Sequence, residues 1–336
     1  MVPILDMHAD LFMDLTRRAE LYRSNNGGKT PPPELGTRHL QRMKAGGIVG
    51  AVITDCRMAG ESSEPMHLEQ FINTVQRELK QDNEAILHVL SAADLVHAID
   101  TGVFAAIVGY EGLSPTKGNL DWIVRLYNEA GLRVAIITHN DDNDFGGGLK
   151  GIKGARNDSL ALGLTEKGRQ VVALMNQLGI LIDMSHAGRA TQADILTISK
   201  RPVMISHVLS KEIYDNGRNL SAEEARKIAD AGGLIGCMTS PAALAPIKDR
   251  DNHTLSRYVA HLLSLISSAG IDHIGLGMHF CEYLYPPEVY PPVVGLEDAS
   301  ASQNIIQALL DAGLGPEAVE KIAWKNFLRL FKETVG

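Results

Sequence analysis

The amino-acid sequence predicts a (β/α)8 barrel, the TIM-barrel class of α/β fold, on three observations. Eight short aliphatic runs alternate with longer stretches of helical periodicity, the pattern of βα units around a parallel sheet. The chain has 336 residues, and eight such units in one domain need about 200 to 400 residues. The first run ends in His-Ala-Asp, whereas a doubly wound open sheet would place a glycine-rich phosphate-binding turn there.

The predicted strands are spread over the whole chain. They are residues 2–10, 47–55, 104–112, 133–140, 179–186, 202–208, 233–240 and 273–280. Each is rich in Val, Ile, Leu or Ala and is bounded by Gly, Pro or polar residues, as strands buried on both faces are. No Pro- or Ser-rich linker divides them, so we expect residues 1–336 to form one domain.

Helices and loops are predicted between these strands. Residues 165–178 place Val171 and Met175 on one face with Leu174 and Leu178, which is the stripe of an amphipathic helix. Residues 254–269 are followed by a glycine, as a helix C-cap often is. Two segments rich in Pro, Gly or Asn, residues 17–36 and 285–295, are predicted to be long loops after the first and eighth strands.

Composition excludes several classes of partner. The formal charge is -8, with acidic and basic residues interspersed, so we expect neither nucleic acid nor an anionic membrane as a partner. No stretch approaches the roughly 20 apolar residues that a membrane span needs, and the first residues do not resemble a secretory leader. There are three cysteines and no CxxC motif, which favours a reducing, cytoplasmic location over a disulfide framework.

Side chains that bind metals or carry protons stand at the carboxyl ends of the predicted strands, where barrel enzymes place their catalytic groups. They are His8, Asp10, Glu111, His139, His186, His207 and His279. Residues two apart on a strand point the same way, so His8 and Asp10 can face one point. Any one of these residues alone is typical of a polar strand end or loop.

Together, five of these donors on four strand ends favour a metal site. Imidazole and carboxylate ligands suit zinc or another divalent first-row ion. We therefore predict two adjacent divalent ions, preferably zinc, that share the carboxylate of Glu111. Such a pair would lower the pKa of a bridging water and polarise a carbonyl group.

Several segments resemble one known family. They are DMHADLFMDL, YEGLSP, ITHNDDNDFG, GLTEKGRQVVALMNQLGILIDMSHAG, PVMISHVLSKEIYDNGRNL, GLGMHFCEYL with GLED, and NFLRLF. In this order they resemble the membrane dipeptidase (renal dipeptidase, peptidase M19) family of the amidohydrolase superfamily. The resemblance implies a metal-dependent hydrolase barrel, a dipeptide or amino-acid amide as substrate and, because the family commonly forms dimers, a homodimer.

The resemblance also implies roles for the metal ligands. His8 and Asp10 match the family's first-strand ligands to one zinc, and Glu111 matches the carboxylate that bridges both zincs. His186 and His207 match the two histidines on the second zinc. Asp183 is expected to orient a neighbouring ligand or strand.

Three further residues match positions outside the metal ligands. His139 matches the histidine that contacts the scissile carbonyl group of the substrate. Arg218 matches the arginine that binds near the substrate carboxylate, and a guanidinium suits that role because it donates two parallel hydrogen bonds. Asn326 matches an asparagine that we interpret as structural.

The eighth strand departs from the family pattern. The family ends this strand in G-G-D-F-D-G, and the corresponding residues here are G-M-H-F-C-E. His279 thus stands where the family has the aspartate that takes a proton from the water and delivers it to the leaving amine, and Cys281 replaces the second aspartate. His279 can serve as a proton carrier, since its unperturbed pKa is about 6.5, can bind metal, or can block the site.

Three hypotheses follow from this departure. The first is a metal-dependent dipeptidase-like hydrolase in which His139 and His279 are catalytic and Arg218 binds substrate. The second keeps the fold and the metal site but changes the chemistry, as in a hydrolase or lyase acting on a modified amino-acid derivative. The third is a metal-binding pseudoenzyme. The complete ligand set favours the first two, because a scaffold without catalysis has no physical need for five ligands.

Overall fold

The structure is a computed structural model, and it describes residues 1–56, 64–79, 84–149 and 162–336. Its centre is a parallel sheet with the strand order β2-β1-β9-β8-β7-β6-β5-β4, closed by pairing of β4 with β2. The strands are β1 Ile4–Ala9, β2 Ile48–Ile53, β3 Ile86–His88, β4 Phe104–Glu111, β5 Leu132–Ile136, β6 Leu181–Asp183, β7 Met204–Val208, β8 Leu234–Cys237 and β9 Ile274–Leu276. The predicted (β/α)8 barrel is confirmed, and each of the eight predicted strands overlaps one barrel strand.

Strand β3 is an addition that the sequence pattern did not predict. Among the residues that the structure describes, it pairs only with the start of β4, with Ile86 opposite Phe104 and His88 opposite Ala106. The pairing of β4 with β5 begins farther along, at Val108. Three residues are too few to show a period of two, so β3 has no distinct sequence signal.

Helices follow the barrel strands. In the described residues they are α1 Leu11–Asn25, α2 Gln41–Ala45, α3 Met66–Glu78, α4 Ala92–Thr101, α5 Asp121–Glu129, α6 Glu166–Leu178, α7 Arg189–Ile198, α8 Ala222–Asp230, α9 Pro241–Leu244, α10 Leu255–Ala269, α11 Gln303–Asp311, α12 Pro316–Glu320 and α13 Asn326–Thr334. Both helices predicted in detail are present: α6 begins at the side-chain cap of Thr165, and α10 begins at that of Thr254 and ends before Gly270. None of the described helices is long and apolar enough to cross a bilayer.

The predicted loop over residues 17–36 is wrong in its first half. Helix α1 continues to Asn25, and the loop is confined to the residues that precede a π-helical turn at Gly36–Leu40. The helix persists because Leu11, Leu15 and Ala19 recur every fourth residue and are buried, so packing of this stripe outweighs the polar composition that follows. The other predicted loop, 285–295, contains no helix or strand.

Candidate metal centre and substrate site

The carboxyl ends of the barrel strands bring the five predicted ligands together around Glu111. Glu111 is the last residue of β4, and its two carboxylate oxygens face different histidines. Oε2 lies 3.8 Å from His8 Nε2, at the end of β1. Oε1 lies 2.9 Å from His186 Nε2, after β6, and 3.5 Å from His207 Nε2, in β7.

The donor atoms form two groups that share Glu111. One group is His8, Asp10 and Glu111, and the other is Glu111, His186 and His207; within each group the candidate ligand atoms lie within 4.8 Å of one another. Nε2 of His186 and Nε2 of His207 are only 2.9 Å apart. Converging imidazole nitrogens and a buried carboxylate are the donor set of a divalent first-row metal ion, so the residues present fit such an ion.

The electrostatics of the cluster keep the second group in its metal-binding form. Burial lowers the pKa of His186 and of His207 well below the usual value, so both imidazoles are neutral. Burial would raise the pKa of Glu111, but the adjacent His186 and His8 hold it well below its usual range. For His8 burial acts to lower the pKa, yet Glu111 and Asp10 prevail and raise it to about 9. A cation bound beside His8 must therefore displace a proton.

Hydrogen bonds fix which nitrogen each histidine presents. Ser206 Oγ lies 2.7 Å from His207 Nδ1, and Asn140 Oδ1 lies 2.7 Å from His186 Nδ1. With the Nδ1 atoms so engaged, each Nε2 is left free for a metal ion. Sequence reasoning missed both supporting residues. In the sequence, these two residues are marked only by their position next to a candidate site residue: a serine precedes each of His186 and His207, and Asn140 follows His139.

Two buried carboxylates tie the ligand-bearing strands to their neighbours. Asp183 Oδ1 accepts hydrogen bonds from the backbone N–H of Ser185 (2.9 Å) and of Ser206 (3.0 Å), which joins the ends of β6 and β7. Asp6, which the sequence analysis did not single out, accepts from the N–H of His8 (3.2 Å) and of Met278 (2.8 Å) and joins β1 to β9. Burial raises the pKa of Asp6 to about 7.

The residues assigned to the substrate border the same cluster. The His139 ring lies 4.4 Å from the His186 ring, centroid to centroid. It fits there because Gly112 has a φ of +82°, and a Cβ at that position would lie 2.6 Å from the Cβ of His139. Arg218 is buried; its Nη2 donates to the carbonyl oxygen of His207 (3.3 Å), and its Nη1 has no hydrogen-bond partner among the described residues. Burial lowers the pKa of Arg218 only to about 10, so it stays charged.

His279 lies inside the ligand cluster. Its backbone N–H donates to the carbonyl oxygen of His8 (3.2 Å), and its ring stacks on those of His8 and His207 at centroid distances of 5.3 and 4.9 Å. Its Nε2 lies 3.4 Å from Asp10 Oδ2, and 21% of its side chain is exposed. Burial lowers the pKa of His279, so the imidazole is neutral at pH 7.

Backbone strain is concentrated at this centre. Four non-glycine residues of the described chain have positive φ, and three of them, Asn140, His186 and His279, lie at this end of the barrel with values of 55, 63 and 54°. Left-handed backbone costs energy for residues that have a Cβ and tends to occur at functional sites. Here it directs these side chains into the cluster.

Asn326 is remote from this cluster. Its side-chain amide donates to the backbone oxygens of Ile271 and Ile274, both at 2.8 Å, and so holds α13 against the start of β9.

The chain is similar to known dipeptidases in sequence and to solved metallopeptidases in fold. A dipeptidase of Claviceps purpurea, tcpJ, is 28% identical over 88% of this chain and 68% of its own length, and the dipeptidase aclJ of Aspergillus oryzae is 27% identical over 98% and 77%. Among solved structures, the M19 metallopeptidase dipeptidase AC superposes with a TM-score of 0.81 at 21% identity, covering 100% of this chain and 99% of that one.

A Rhodobacter sphaeroides metallopeptidase, solved with a phosphinate mimic of L-Ala-D-Ala, has a TM-score of 0.78 at 20% identity over 99% of both chains. At such identities the structures establish the fold alone. The profile of the membrane dipeptidase family, peptidase family M19, matches residues 1–335. The chain therefore belongs to the membrane dipeptidase family of metallopeptidases.

Proposed function

We propose that this protein is a binuclear metal-dependent dipeptidase, preferring zinc, that hydrolyses the amide bond of a dipeptide or a related amino-acid amide. The observation that carries the proposal is the position of Glu111, whose Oε2 faces His8 while its Oε1 faces His186 and His207. A carboxylate set between two ligand groups is the arrangement that bridges two ions. Family membership supports the same reaction class.

The ligand residues divide into two sets. His8, Asp10 and Glu111 would hold one ion, and Glu111, His186 and His207 the other. When bound, such ions activate a water and polarise the scissile carbonyl group.

The other residues bind, orient and move a proton. Arg218 Nη1 donates to the carboxylate of the substrate, since it is a buried cationic donor without a partner in the described structure. His139, beside His186, donates to the carbonyl oxygen as negative charge develops there. His279, neutral because desolvation lowers its pKa, takes a proton at an imidazole nitrogen from the attacking water and gives it to the leaving amine.

The replacement at His279 favours one alternative function. An imidazole is bulkier than the family's carboxylate and carries no negative charge when neutral, so the substrate near it can differ from an ordinary dipeptide. The alternative is a hydrolase or lyase acting on a modified amino-acid derivative with the same metal ligands. A metal-binding pseudoenzyme has less support, because the ligand set and the unpartnered Arg218 donor are both retained.

The test is amino-acid release from L,L and L,D dipeptides by the full chain reconstituted with zinc, with a chelated sample as the control. We expect turnover that the chelator abolishes. If a folded, metal-loaded protein releases no amino acid, that result would contradict the proposed dipeptidase activity, and modified amino-acid derivatives would be tested next.

We further propose that residues 1–336 act as one hydrolase domain and that the protein works as a homodimer in the cytoplasm. The family profile spans almost the whole chain, which supports one domain. The three cysteines are free thiols, which fits a reducing compartment.

A further inference from the structure

A second set of metal-binding atoms lies on the other side of Asp10. The two oxygens of this carboxylate face different partners. Oδ1 lies 3.3 Å from His8 Nε2 and accepts a hydrogen bond from Thr54 Oγ1 at 2.9 Å. Oδ2 lies 3.4 Å from His279 Nε2 and 3.7 Å from Cys281 Sγ. Oδ2 of Asp10 thus faces His279 and Cys281 rather than the other four predicted ligands.

Cys281 and His279 complete this second set. Cys281 Sγ lies 3.4 Å from His279 Nδ1, and one ligand atom from each of Asp10, His279 and Cys281 lies within 4.8 Å of the other two. Bond lengths of about 2.0 to 2.3 Å in a tetrahedral zinc site place neighbouring ligand atoms about 3.3 to 3.7 Å apart. The distances from Sγ to Nδ1 and to Oδ2 match those separations.

The charge and the exposure of the set formed by Asp10, His279 and Cys281 suit a cation. Burial and then the negative charges of Asp10, Glu282 and Glu111 raise the pKa of the Cys281 thiol well above its usual value, so the sulfur keeps its proton until a cation binds beside it. Cys281 is buried, whereas His279 is partly exposed and so offers an entry path. A sulfur, an imidazole nitrogen and one carboxylate oxygen favour zinc, cobalt or cadmium over magnesium or calcium.

We propose that Asp10 Oδ2, His279 and Cys281 form a further metal subsite that takes one thiophilic divalent ion. As the S–metal bond forms, the thiol loses its proton to solvent, and no change of oxidation state is involved. The subsite shares Asp10 with the proposed binuclear centre and uses His279, so an ion bound here would withhold that imidazole from proton transfer. The metal-binding test does not depend on peptide hydrolysis. It would raise the capacity of the chain from two ions to three.

The experiment uses the full chain reconstituted with Co²⁺, because a cobalt–thiolate bond produces a near-ultraviolet charge-transfer band that oxygen and nitrogen ligands do not produce. We expect the band in the unaltered protein and its loss in Cys281→Ala, with a fall of one bound ion per chain by elemental analysis. Cys237→Ala is the matched control, since this cysteine is also buried, and the variant should keep the band. Cys56→Ala should keep it too; because the Cys56 sulfur lies within 4.8 Å of ligand atoms of Glu111 and His139, loss of the band in that variant would place the thiolate there and contradict the subsite.

Three results would overturn the subsite: no band in the unaltered protein, a band that survives Cys281→Ala, or equal ion content in the two proteins. If Cys281→Ala fails to fold by circular dichroism, Cys281→Ser preserves the side-chain size and carries the same expectations.

Glu111→Gln separates this proposal from the proposed function, because it should lose ions from the binuclear centre and keep the cobalt–thiolate band. Loss of the band in Glu111→Gln would place the thiolate in the binuclear centre and contradict a separate subsite.

Discussion

Glu111 shows how much chemistry depends on the placement of one side chain. Its Oε1 is within 2.9 Å of His186 Nε2, and its Oε2 faces His8 on the opposite side. The hydrogen bonds of Ser206 and Asn140 to the Nδ1 atoms of His207 and His186 leave both Nε2 atoms directed at this carboxylate. At the residue scale, the candidate centre is organised around the Glu111 carboxylate, whose two oxygens face two different groups of ligand atoms.

Glu111→Gln should lose both metal and activity. An amide removes the negative charge that would offset the two proposed cations and offers only one ligand oxygen, so we expect the proposed dipeptidase activity to fall by about 100-fold or more. Elemental analysis of the purified variant measures the bound metal. Glu317→Gln, a change on the exposed first turn of α12, is the control and should retain both properties. Unchanged stoichiometry in Glu111→Gln would contradict the bridging role.

His279→Asp should raise peptide hydrolysis at neutral pH. A carboxylate at this position supplies the proton carrier that the family resemblance implies, and such a group contributes about 10²- to 10⁴-fold to the rate. The measurement is kcat/KM for a dipeptide with zinc present. His97→Asp, at an exposed position on α4, is the matched control and should have no effect. If the rate does not rise, the shape of the pocket rather than the proton carrier limits peptide hydrolysis.

At the scale of elements, the barrel positions its ligands through close approach of neighbouring strands. Gly236 in β8 and Gly277 after β9 both lie against the carbonyl group of Ser206, the residue before His207. A Cβ on Gly277 would lie 1.7 Å from that backbone oxygen, a contact that no side-chain rotation relieves. These glycines allow β7, β8 and β9 to converge beneath the candidate centre.

Gly277→Ala should destabilise the fold and displace β7. Overpacking of a core costs about 1 to 3 kcal/mol, and here the displaced backbone carries His207, so affinity for metal should also fall. Urea unfolding measures the stability, and a metal titration measures the affinity. Gly36→Ala is the control, because a Cβ at Gly36 meets nothing within 4 Å. An unchanged unfolding midpoint in Gly277→Ala would show that β7, β8 and β9 can move apart to accept the Cβ without a loss of stability.

At the scale of the whole molecule, a buried histidine outside the ligand cluster couples folding to pH. His261 on α10 is fully buried, with Nδ1 3.2 Å from the N–H of Ser210 and Nε2 3.0 Å from the carbonyl oxygen of Leu244. Burial lowers its pKa to about 4, with a further decrease from Arg257. The imidazole is therefore neutral in the folded protein and links α10 to the segments after β7 and β8.

Acid should weaken the fold through His261. In the unfolded chain its pKa is about 6.5, so its contribution to stability is fully present above pH 6.5 and is lost as the pH falls toward 4. From pH 7 to pH 5 this loss is about 2 kcal/mol. Urea unfolding at both pH values, with metal chelated, measures it. His261→Gln should reduce the pH dependence by that amount, whereas His97→Gln, at an exposed position, should keep it. Equal slopes in His261→Gln and the unaltered protein would contradict the assignment.

The barrel was predictable because its signals are local. Each barrel strand is an apolar run of the kind that is buried on both faces. Each candidate metal ligand lies at or just after the end of such a run. The three residues of β3 and the length of α1 were not predicted correctly, because a three-residue strand has no period and the polar end of α1 has the composition of a loop.

The sequence by itself determined the fold class and the candidate ligands, because parallel strands bring their carboxyl ends to one side of the barrel whatever their detailed packing. Only the tertiary structure decided what each atom faces. Strands distant in the sequence surround the two oxygens of Glu111, the two oxygens of Asp10 and Nη1 of Arg218, which has no hydrogen-bond partner within the described parts of the chain. Side-chain direction depends on rotamers and backbone φ set by packing, and the left-handed backbone of His186 and His279 has no local sequence signal.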